Sequence, residues 1–404
     1  MAHEERVVIG GVDTHKDVHV AAIIDDRGVI LDVHAFKTTG NGLRDLLAWM
    51  RSFGDLAKVG VEGTGAYGAG LVRHLGKAGV AVVEVNRPNR QNRRRRGKSD
   101  SVDAEAAARA ALNGEADIVP KSGNDIVESI RVLRIAFTSA RNSRTRVALQ
   151  IRDLIITAPD QLRAVLGPLS TTERVVRCAR LRPGDPTSSL EGTKLALRTL
   201  ARRYVALSDE MADLQHTLDE LTAIANPSLR AAKGVGVDVA AILLVAAGDN
   251  PDRIRNEAAL AKLCGVAPLE ASSGKFVRHR LNDGGNRQAN HALWRIAMVR
   301  INSDAPTKEY VARRTAEGKS PREIMRCLKR YIAREMFNHL VNPQSLPDGG
   351  KLRTMRCSAG ISLRTVASAL GSHGTRISEL ERGRRFDRGL AERYQAWLIT
   401  QIAA

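Results

Sequence analysis

Aromatic residues make up only 3% of this 404-residue chain. Stacking on bases needs aromatic platforms, so their scarcity argues against stacking as the main contact with nucleic acid and leaves backbone electrostatics as the mode open to it. Cysteine is equally sparse. Cys178, Cys264, Cys327 and Cys357 stand apart, with no Cys-x-x-Cys or Cys/His cluster, which speaks against a zinc module and supplies no disulfide framework. No apolar run approaches the roughly 20 residues of a transmembrane helix, and Met1-Ala2-His3-Glu4-Glu5-Arg6 does not resemble a signal peptide. Acidic residues are outnumbered, 44 against 63 lysines and arginines, for a net charge of +19. Such an excess concentrates polyanions and makes their binding steeply salt-dependent. The expectation is a soluble, cytoplasmic, nucleoid-associated protein that works on nucleic acid and has no membrane partner. Its length predicts several domains, and a hydrophobic fraction of 43% is enough to give them cores.

Against this basic background four acids stand out: Asp13, Glu62, Asp100 and Asp103. Asp13 follows the apolar run Val7-Val8-Ile9-Gly10-Gly11-Val12, Glu62 ends Val59-Gly60-Val61, and Asp100 and Asp103 open a helix in Ser99-Asp100-Ser101-Val102-Asp103-Ala104. Carboxylates at strand ends and on a neighbouring helix can converge on hard divalent cations, which prefer oxygen ligands and keep positions open for phosphate and water. The runs at 7–12, 18–24 and 29–34 predict an antiparallel meander, the last two joined by the turn sequence Asp25-Asp26-Arg27-Gly28. A helix over Gly42 to Phe53, a strand over Lys58 to Glu62, a helix over Gly65 to Ala78 and a strand over Val80 to Val85 follow. That order suits a ribonuclease-H-like fold, in which acids from the first strand, the fourth strand and a late helix meet at one sheet edge. Taken singly, each acid reads equally as a turn or helix cap. His15 and His19 read as ordinary strand-end residues rather than ligands. Arg93, Arg94, Arg95, Arg96 and Lys98, just before the acidic helix, are assigned to phosphate contact.

Residues from about 125 to 224 are predicted to be helical, with apolar residues at three- and four-residue spacing such as Leu207-Met211-Leu214-Leu218-Leu221. Long paired helices of this kind serve as a spacer, a dimerising coiled coil or a plain core. After Pro227 the stretch Lys233-Gly234-Val235-Gly236 resembles the hairpin of helix-hairpin-helix modules, where backbone amides hold a DNA phosphate; Gly234 and Gly236 are the contact positions. Further on, Ser272-Ser273-Gly274-Lys275 is followed by Arg278-His279-Arg280 and Gly284-Gly285-Asn286-Arg287. A serine beside glycine is accessible, and flanking Lys275, Arg278 and Arg280 would favour both its alkoxide and a phosphate.

Together these motifs resemble the insertion-sequence "one-ten" family of transposases, the DEDD transposases with a RuvC-like amino-terminal domain and a carboxyl-terminal transposase domain. The likeness runs over about residues 7 to 340 and rests on Gly11-Val12-Asp13-Thr14-His15-Lys16, Glu62-Gly63-Thr64-Gly65, Lys98-Ser99-Asp100-Ser101-Val102-Asp103-Ala104, the Gly234 hairpin and the Ser273-Gly274 to Gly285-Asn286 block. The resemblance implies that Asp13, Glu62, Asp100 and Asp103 bind magnesium, with manganese the alternative cation. It also implies that a serine, Ser273 or its neighbour Ser272, attacks the DNA backbone and forms a covalent phosphoserine. The family further implies double-stranded DNA as substrate (element ends and target), a structured noncoding bridge RNA as guide, and a homodimer or homotetramer with active sites shared between subunits. Two positions depart from the pattern: Asp283 stands where many relatives carry a basic residue, and Ala289-Asn290 replaces the common Leu-Arg.

Beyond a Pro/Gly-containing linker at 343–351, the sequence predicts a Cro/repressor-type helix-turn-helix over 352–404. Val366, Ala367 and Leu370 form the inner face of one helix and Ile377 and Leu380 that of the next, which would carry Thr375, Arg376, Ser378 and Glu379 to the major groove. A small bundle for protein contacts is the alternative. The expected division is thus a RuvC-like catalytic domain (1–115), a helical region (116–225), a transposase domain (226–342) and the helix-turn-helix (352–404). The expected function is excision and insertion of a mobile element. The rivals are a structure-selective, metal-dependent endonuclease and a DNA-binding repressor whose catalytic domain is inactive. A sugar-kinase-like fold also begins with an aspartate after its first strand, but no second phosphate loop is evident.

Overall fold

The computed structural model describes residues 6–85, 99–270, 272, 279–280, 282, 284–343, 345–384 and 387–403. By its internal contacts the chain divides into two units, Met1–Glu128 with Ala246–Leu260 and Ser129–Val245 with Ala261–Ala404.

In the first unit the expected meander forms as β1 (Val7–Thr14), β2 (Val18–Asp25) and β3 (Ile30–Lys37), followed by α1 (Gly40–Arg51), β4 (Asp55–Glu62), α2 (Ala69–Lys77), β5 (Val82–Val85) and α3 (Asp100–Leu112). The turn between β2 and β3 is closed by Asp25, whose Oδ1 accepts from the amides of Arg27 and Val29 at 3.0 and 2.7 Å. The strands form one sheet in the order β3-β2-β1-β4-β5, antiparallel within the meander and parallel from β1 through β4 to β5. This mixed sheet with helices on both faces is compatible with a ribonuclease-H-like layout.

Alternation along the strands decides which helix each residue meets. Val8 and Val12 of β1 and Val59 and Val61 of β4 pack with Leu46 and Met50 of α1 and Leu71 and Leu75 of α2. The opposite face carries Ile9, Gly11 and Asp13 of β1 and Gly60 and Glu62 of β4, and there α3 lies down. Ile9 packs with Ala108 and Ala111, and Val85 with Ala107. The approach is close because both surfaces are stripped of side chains: a Cβ at Gly11 would stand 2.2 Å from the Ala108 amide nitrogen, and one at Gly60 would stand 2.4 Å from the Ala107 carbonyl oxygen.

The next elements are α4 (Ile126–Ile156), α5 (Asp160–Leu166), α6 (Thr171–Ala179), α7 (Ser189–Ala225), α8 (Pro227–Ala231), α9 (Val237–Ala247) and α10 (Glu257–Leu263). The middle of the chain is therefore helical as expected. Val147, Ile151 and Ile155 of α4 form a core with Leu162 and Leu166 of α5, Val175 and Cys178 of α6, and Leu197 and Ala201 of α7. A two-rung ladder of β6 (Leu269–Glu270) and β7 (His279–Arg280) precedes α11 (Arg287–Ser303), α12 (Ala305–Ala316) and α13 (Pro321–Val341). Four helices close the chain, α14 (Gly349–Ser358), α15 (Leu363–Ala369), α16 (Gly374–Glu381) and α17 (Arg388–Ala403). They share a core of Leu352, Val366, Ile377, Leu380, Leu390, Tyr394 and Leu398. No helix among the described residues is long and apolar enough to cross a membrane.

Candidate functional site

The acids fall on the α3 side of the sheet for the reason that Gly11 and Gly60 do. Asp13 is two residues beyond Gly11 and Glu62 two beyond Gly60, so period-two alternation turns both towards the helix. Val12 pairs with Val61 in the parallel ladder, which places the two acids at neighbouring strand ends. α3 begins at the same edge. Its cap is Ser99, whose Oγ accepts from the Val102 amide at 3.4 Å, and its first turn carries Asp100 and Asp103. Acidic side chains there complement the positive end of the helix dipole. Asp103 is one turn before Ala107 on the sheet-facing side and is 6% exposed, as Asp13 is 8% exposed, while Glu62 is half-buried and Asp100 open to solvent. The Thr14 hydroxyl donates to the Glu62 carbonyl oxygen at 2.8 Å, fastening the two strand ends together.

One residue that the sequence alone leaves among the ordinary ones belongs to this group. His15 stands between two of the acids, with Nδ1 3.8 Å from Asp13 Oδ2 and Nε2 3.9 Å from Asp100 Oδ1. Asp13, His15 and Asp100 each offer one ligand atom, and all three atoms lie within 4.8 Å of one another. Two carboxylates and an imidazole at that spacing suit a divalent cation, and the nitrogen favours manganese more than magnesium. The only signal in the sequence was the two-residue offset from Asp13. His19 is different: it is 1% exposed within β2, and burial followed by the His15 charge holds its pKa below the usual histidine value.

The basic run Arg93, Arg94, Arg95, Arg96 and Lys98 lies outside the described residues, as do Ser273, Lys275, Arg278 and Asp283. Ser272 is described and exposed. The ladder pairs Leu269 with Arg280 and Glu270 with His279, so it brackets the serine segment at its two ends. Behind it, Gly265 turns at φ +66° and meets Gly285, where a Cβ would stand 2.3 Å from the Gly265 Cα. Asn290 locks this turn: its Nδ2 donates to the carbonyl oxygens of Cys264 and Gly265 at 2.9 and 3.1 Å, and its Oδ1 accepts from Lys329 Nζ at 2.8 Å. In the glycine hairpin, Gly234 turns at φ +86° against Ile296, whereas nothing stands within 4 Å of a Cβ at Gly236. Asp238, at the start of α9, accepts from Arg134 Nη2 at 3.1 Å and also pairs with Arg295. In the carboxyl-terminal helices Thr375 and Arg376 are exposed, and Ser378 and Glu379 are half-buried on α16.

Two family models match the chain: a DEDD transposase model of the IS110 type over residues 10–157, and the "Transposase IS116/IS110/IS902 family" over residues 226–312. The chain is also similar to the insertion element IS110 uncharacterized 43.6 kDa protein of Streptomyces coelicolor, 29% identical over 172 residues. That alignment covers 42% of this chain and 40% of the relative, so the chain matches well under half of the relative's length. The first model spans the sheet edge with its four acids and the second spans the glycine hairpin, the paired turn and the serine segment; this protein belongs to the IS110 family of transposases.

Proposed function

We propose that the protein is a DNA transposase that excises and inserts an insertion sequence through the acidic sheet edge and a serine nucleophile. The observation that carries this reading is the joining of Asp13 to Asp100 through His15, with Asp103 buried one turn into the same helix and Glu62 at the neighbouring strand end. Four carboxylates in one region repel one another, and cations relieve that repulsion. Asp13, Glu62, Asp100 and Asp103 would hold magnesium, with manganese the alternative. Divalent cations supply charge neutralisation and polarisation at the scissile phosphate. The layout supports a ribonuclease-H-like (RuvC-like) domain for the amino-terminal part.

The chain's own residues would divide the remaining work. Ser273, or Ser272 beside it, would attack phosphorus, forming a serine–phosphate ester as the bond to one sugar oxygen breaks and that oxygen takes up a proton. Gly234 and Gly236, with open space beside the Gly236 Cα, would hold a neighbouring phosphate on their backbone amides. α16 would carry Thr375, Arg376 and Ser378 to the major groove of element ends or of the protein's own promoter. The scarcity of aromatics and the net charge of +19 support a guide that reads sequence on the protein's behalf, which is the role of a bridge RNA in this reading. The four-part division of the chain and a homodimer or homotetramer belong to the same proposal.

The test is amplification across the circular junction of the excised element in cells expressing wild type, Asp13→Ala, Ser272→Ala or Ser273→Ala protein. Junctions from wild type and Ser272→Ala alone support recombination through Ser273 and the acidic edge. Junctions from Ser273→Ala but not Ser272→Ala move the nucleophile to Ser272. Junctions from both serine variants and none from Asp13→Ala would keep the acidic edge in the reaction and take the nucleophile's role from either serine alone.

A further inference from the structure

α13 carries a row of cations that the acidic sheet edge does not explain. Arg326, Arg330 and Arg334 recur every four residues, so they stack along one face of the helix. Like charges at that spacing weaken a helix unless something neutralises them. The two acids of α13 are engaged elsewhere: Glu323 closes the capping box with Ser320, and Glu335 holds Arg300 in a bidentate pair at 2.6 and 2.7 Å.

The three arginines, with Lys329 and Tyr331 of the same helix and Arg280 of β7, line a cavity of about 390 Å³ beside the turn that begins at Gly265. No carboxylate is among its described lining residues. Two of the cations are drawn out of water. Lys329 is half-buried, its Nζ tied to Asn290, and burial and then the charge of Arg326 hold its pKa below the usual lysine value. The Nη1 atom of Arg330 is shielded from solvent and has no hydrogen-bond partner among the described residues. Desolvated cations without a counter-charge are costly, and guanidinium groups are matched by the oxygens of phosphate. Tyr331 is 57% exposed, with Tyr310 edge-on to it at 5.8 Å between ring centroids, and offers a face on which a base can lie.

We infer that this cavity binds the phosphodiester backbone of a single nucleic-acid strand, with Arg326 and Arg330 on the phosphate and Tyr331 against the adjoining base. The volume is in the range of roughly 300–1,000 Å³ found for small-ligand sites, the scale of one nucleotide and not of a duplex. Extruded DNA and RNA both present this backbone, and the experiment below tells them apart. The inference rests on the reading of the chain as a nucleic-acid enzyme and adds to it a strand-holding site beside the Gly265 turn.

Cys327 lines the same cavity and reports its occupancy. The experiment uses the full chain carrying Cys357→Ser, which removes the exposed thiol, Cys178 and Cys264 being buried. Alkylation of Cys327 by a maleimide is followed by peptide mass spectrometry with saturating single-stranded DNA, single-stranded RNA or duplex DNA of about twelve nucleotides per strand. Anisotropy confirms saturation and gives the salt dependence of binding. Saturating single strands are expected to slow alkylation of Cys327 in proportion to the occupied fraction of the cavity. The double variant Arg326→Gln/Arg330→Gln should lose that protection, and its log affinity against log salt slope should shrink by about 1.4, or ~0.7 per cation for a single strand. The charge-conserving pair Arg326→Lys/Arg330→Lys should retain part of the protection, and it carries the test if the glutamine pair does not fold. Protection by DNA alone or RNA alone identifies the strand. An unprotected Cys327 under saturating single strand, or protection by duplex only, overturns the cavity assignment while the transposase reading stands; failure of every nucleic acid to bind removes both.

Discussion

The Thr14 hydroxyl donates to the backbone carbonyl oxygen of Glu62 at 2.8 Å, tying the end of β1 to the end of β4 just beyond the last ladder pair, Val12 with Val61. Thr14→Val keeps the shape of the side chain and removes the donor. The expected loss of stability is about 1 kcal/mol, the usual net worth of one intramolecular hydrogen bond. The functional effect should be larger in proportion, because Asp13 and Glu62 would no longer share a fixed separation. Equilibrium urea unfolding and a manganese titration of the same sample check this. A variant with unchanged cation affinity would show that β-ladder pairing alone sets the strand ends.

Gly11 is the position at which α3 touches the sheet most closely. A methyl group there would meet the backbone of both Ala104 and Ala108 at 2.3 and 2.2 Å. Backbone cannot rotate aside as a side chain does, so Gly11→Ala must lift α3 or bend β1. Overpacking of this kind costs roughly 1–3 kcal/mol and sometimes more, and it displaces Asp100 and Asp103 together. Gly70→Ala, where nothing stands within 4 Å, is the matched control in the same unit. The expected result is a lower urea midpoint for the first variant and little change for the second; equal midpoints would mean that α3 adjusts freely.

Much of this geometry was legible in the residues. Alternating apolar runs fixed the meander, since a strand buried on one face announces itself with period two, and Asp25 to Gly28 marked its turn. The turning of Asp13 and Glu62 to one face follows from counting in twos from Gly11 and Gly60. His15 was not legible as a neighbour of Asp100, because that contact joins residues 85 positions apart in a loop with no period. Nor was the α13 cavity: Arg326, Arg330 and Arg334 at four-residue spacing read as a solvated helix face, and only the fold brings the Gly265 turn and Arg280 beside them. The contact between Gly265 and Gly285 is likewise a product of packing, although both glycines stood in the sequence. Asn290 ties that turn through its side-chain amide, which its place in the sequence alone does not announce.

His15 should act on the cation rather than on DNA. If its imidazole joins Asp13 and Asp100 around a divalent ion, replacing it with alanine removes the only nitrogen ligand among them. Manganese affinity is expected to fall roughly tenfold, with magnesium affinity falling less because magnesium prefers oxygen. Electron spin-echo spectroscopy of the bound manganese gives a readout independent of turnover. Nitrogen modulation should be present in wild type and absent in His15→Ala. Manganese that binds wild type without nitrogen modulation would leave the acidic site intact and take His15 out of it.

The carboxyl-terminal helices are held by a buried ion pair whose pH dependence can be worked out in sign. Arg356 donates from Nε and Nη2 to the two oxygens of Glu381 at 2.7 and 3.0 Å, and the Tyr394 hydroxyl donates to Oε1 at 2.7 Å, joining α14, α16 and α17. Burial alone would raise the pKa of Glu381, but the hydrogen bonds from Arg356 and Tyr394 outweigh it and hold the carboxyl below its ordinary value of 4.5. A group whose pKa is lower when folded stabilises the fold above its unfolded pKa and loses that contribution as pH falls through the folded value. Thermal stability of these helices should therefore be level from pH 7 to about 5 and decline below pH 4.5. Glu381→Gln strands a buried guanidinium, with an expected loss of ~3–5 kcal/mol at neutral pH, and removes this group's share of the acid decline. Melting followed by Trp397 fluorescence, in a Trp49→Phe/Trp294→Phe background, reads the effect where that side chain packs. A wild-type acid decline that persists undiminished in Glu381→Gln would assign it to other carboxylates and leave the Arg356 pair a contributor to shape rather than to pH response.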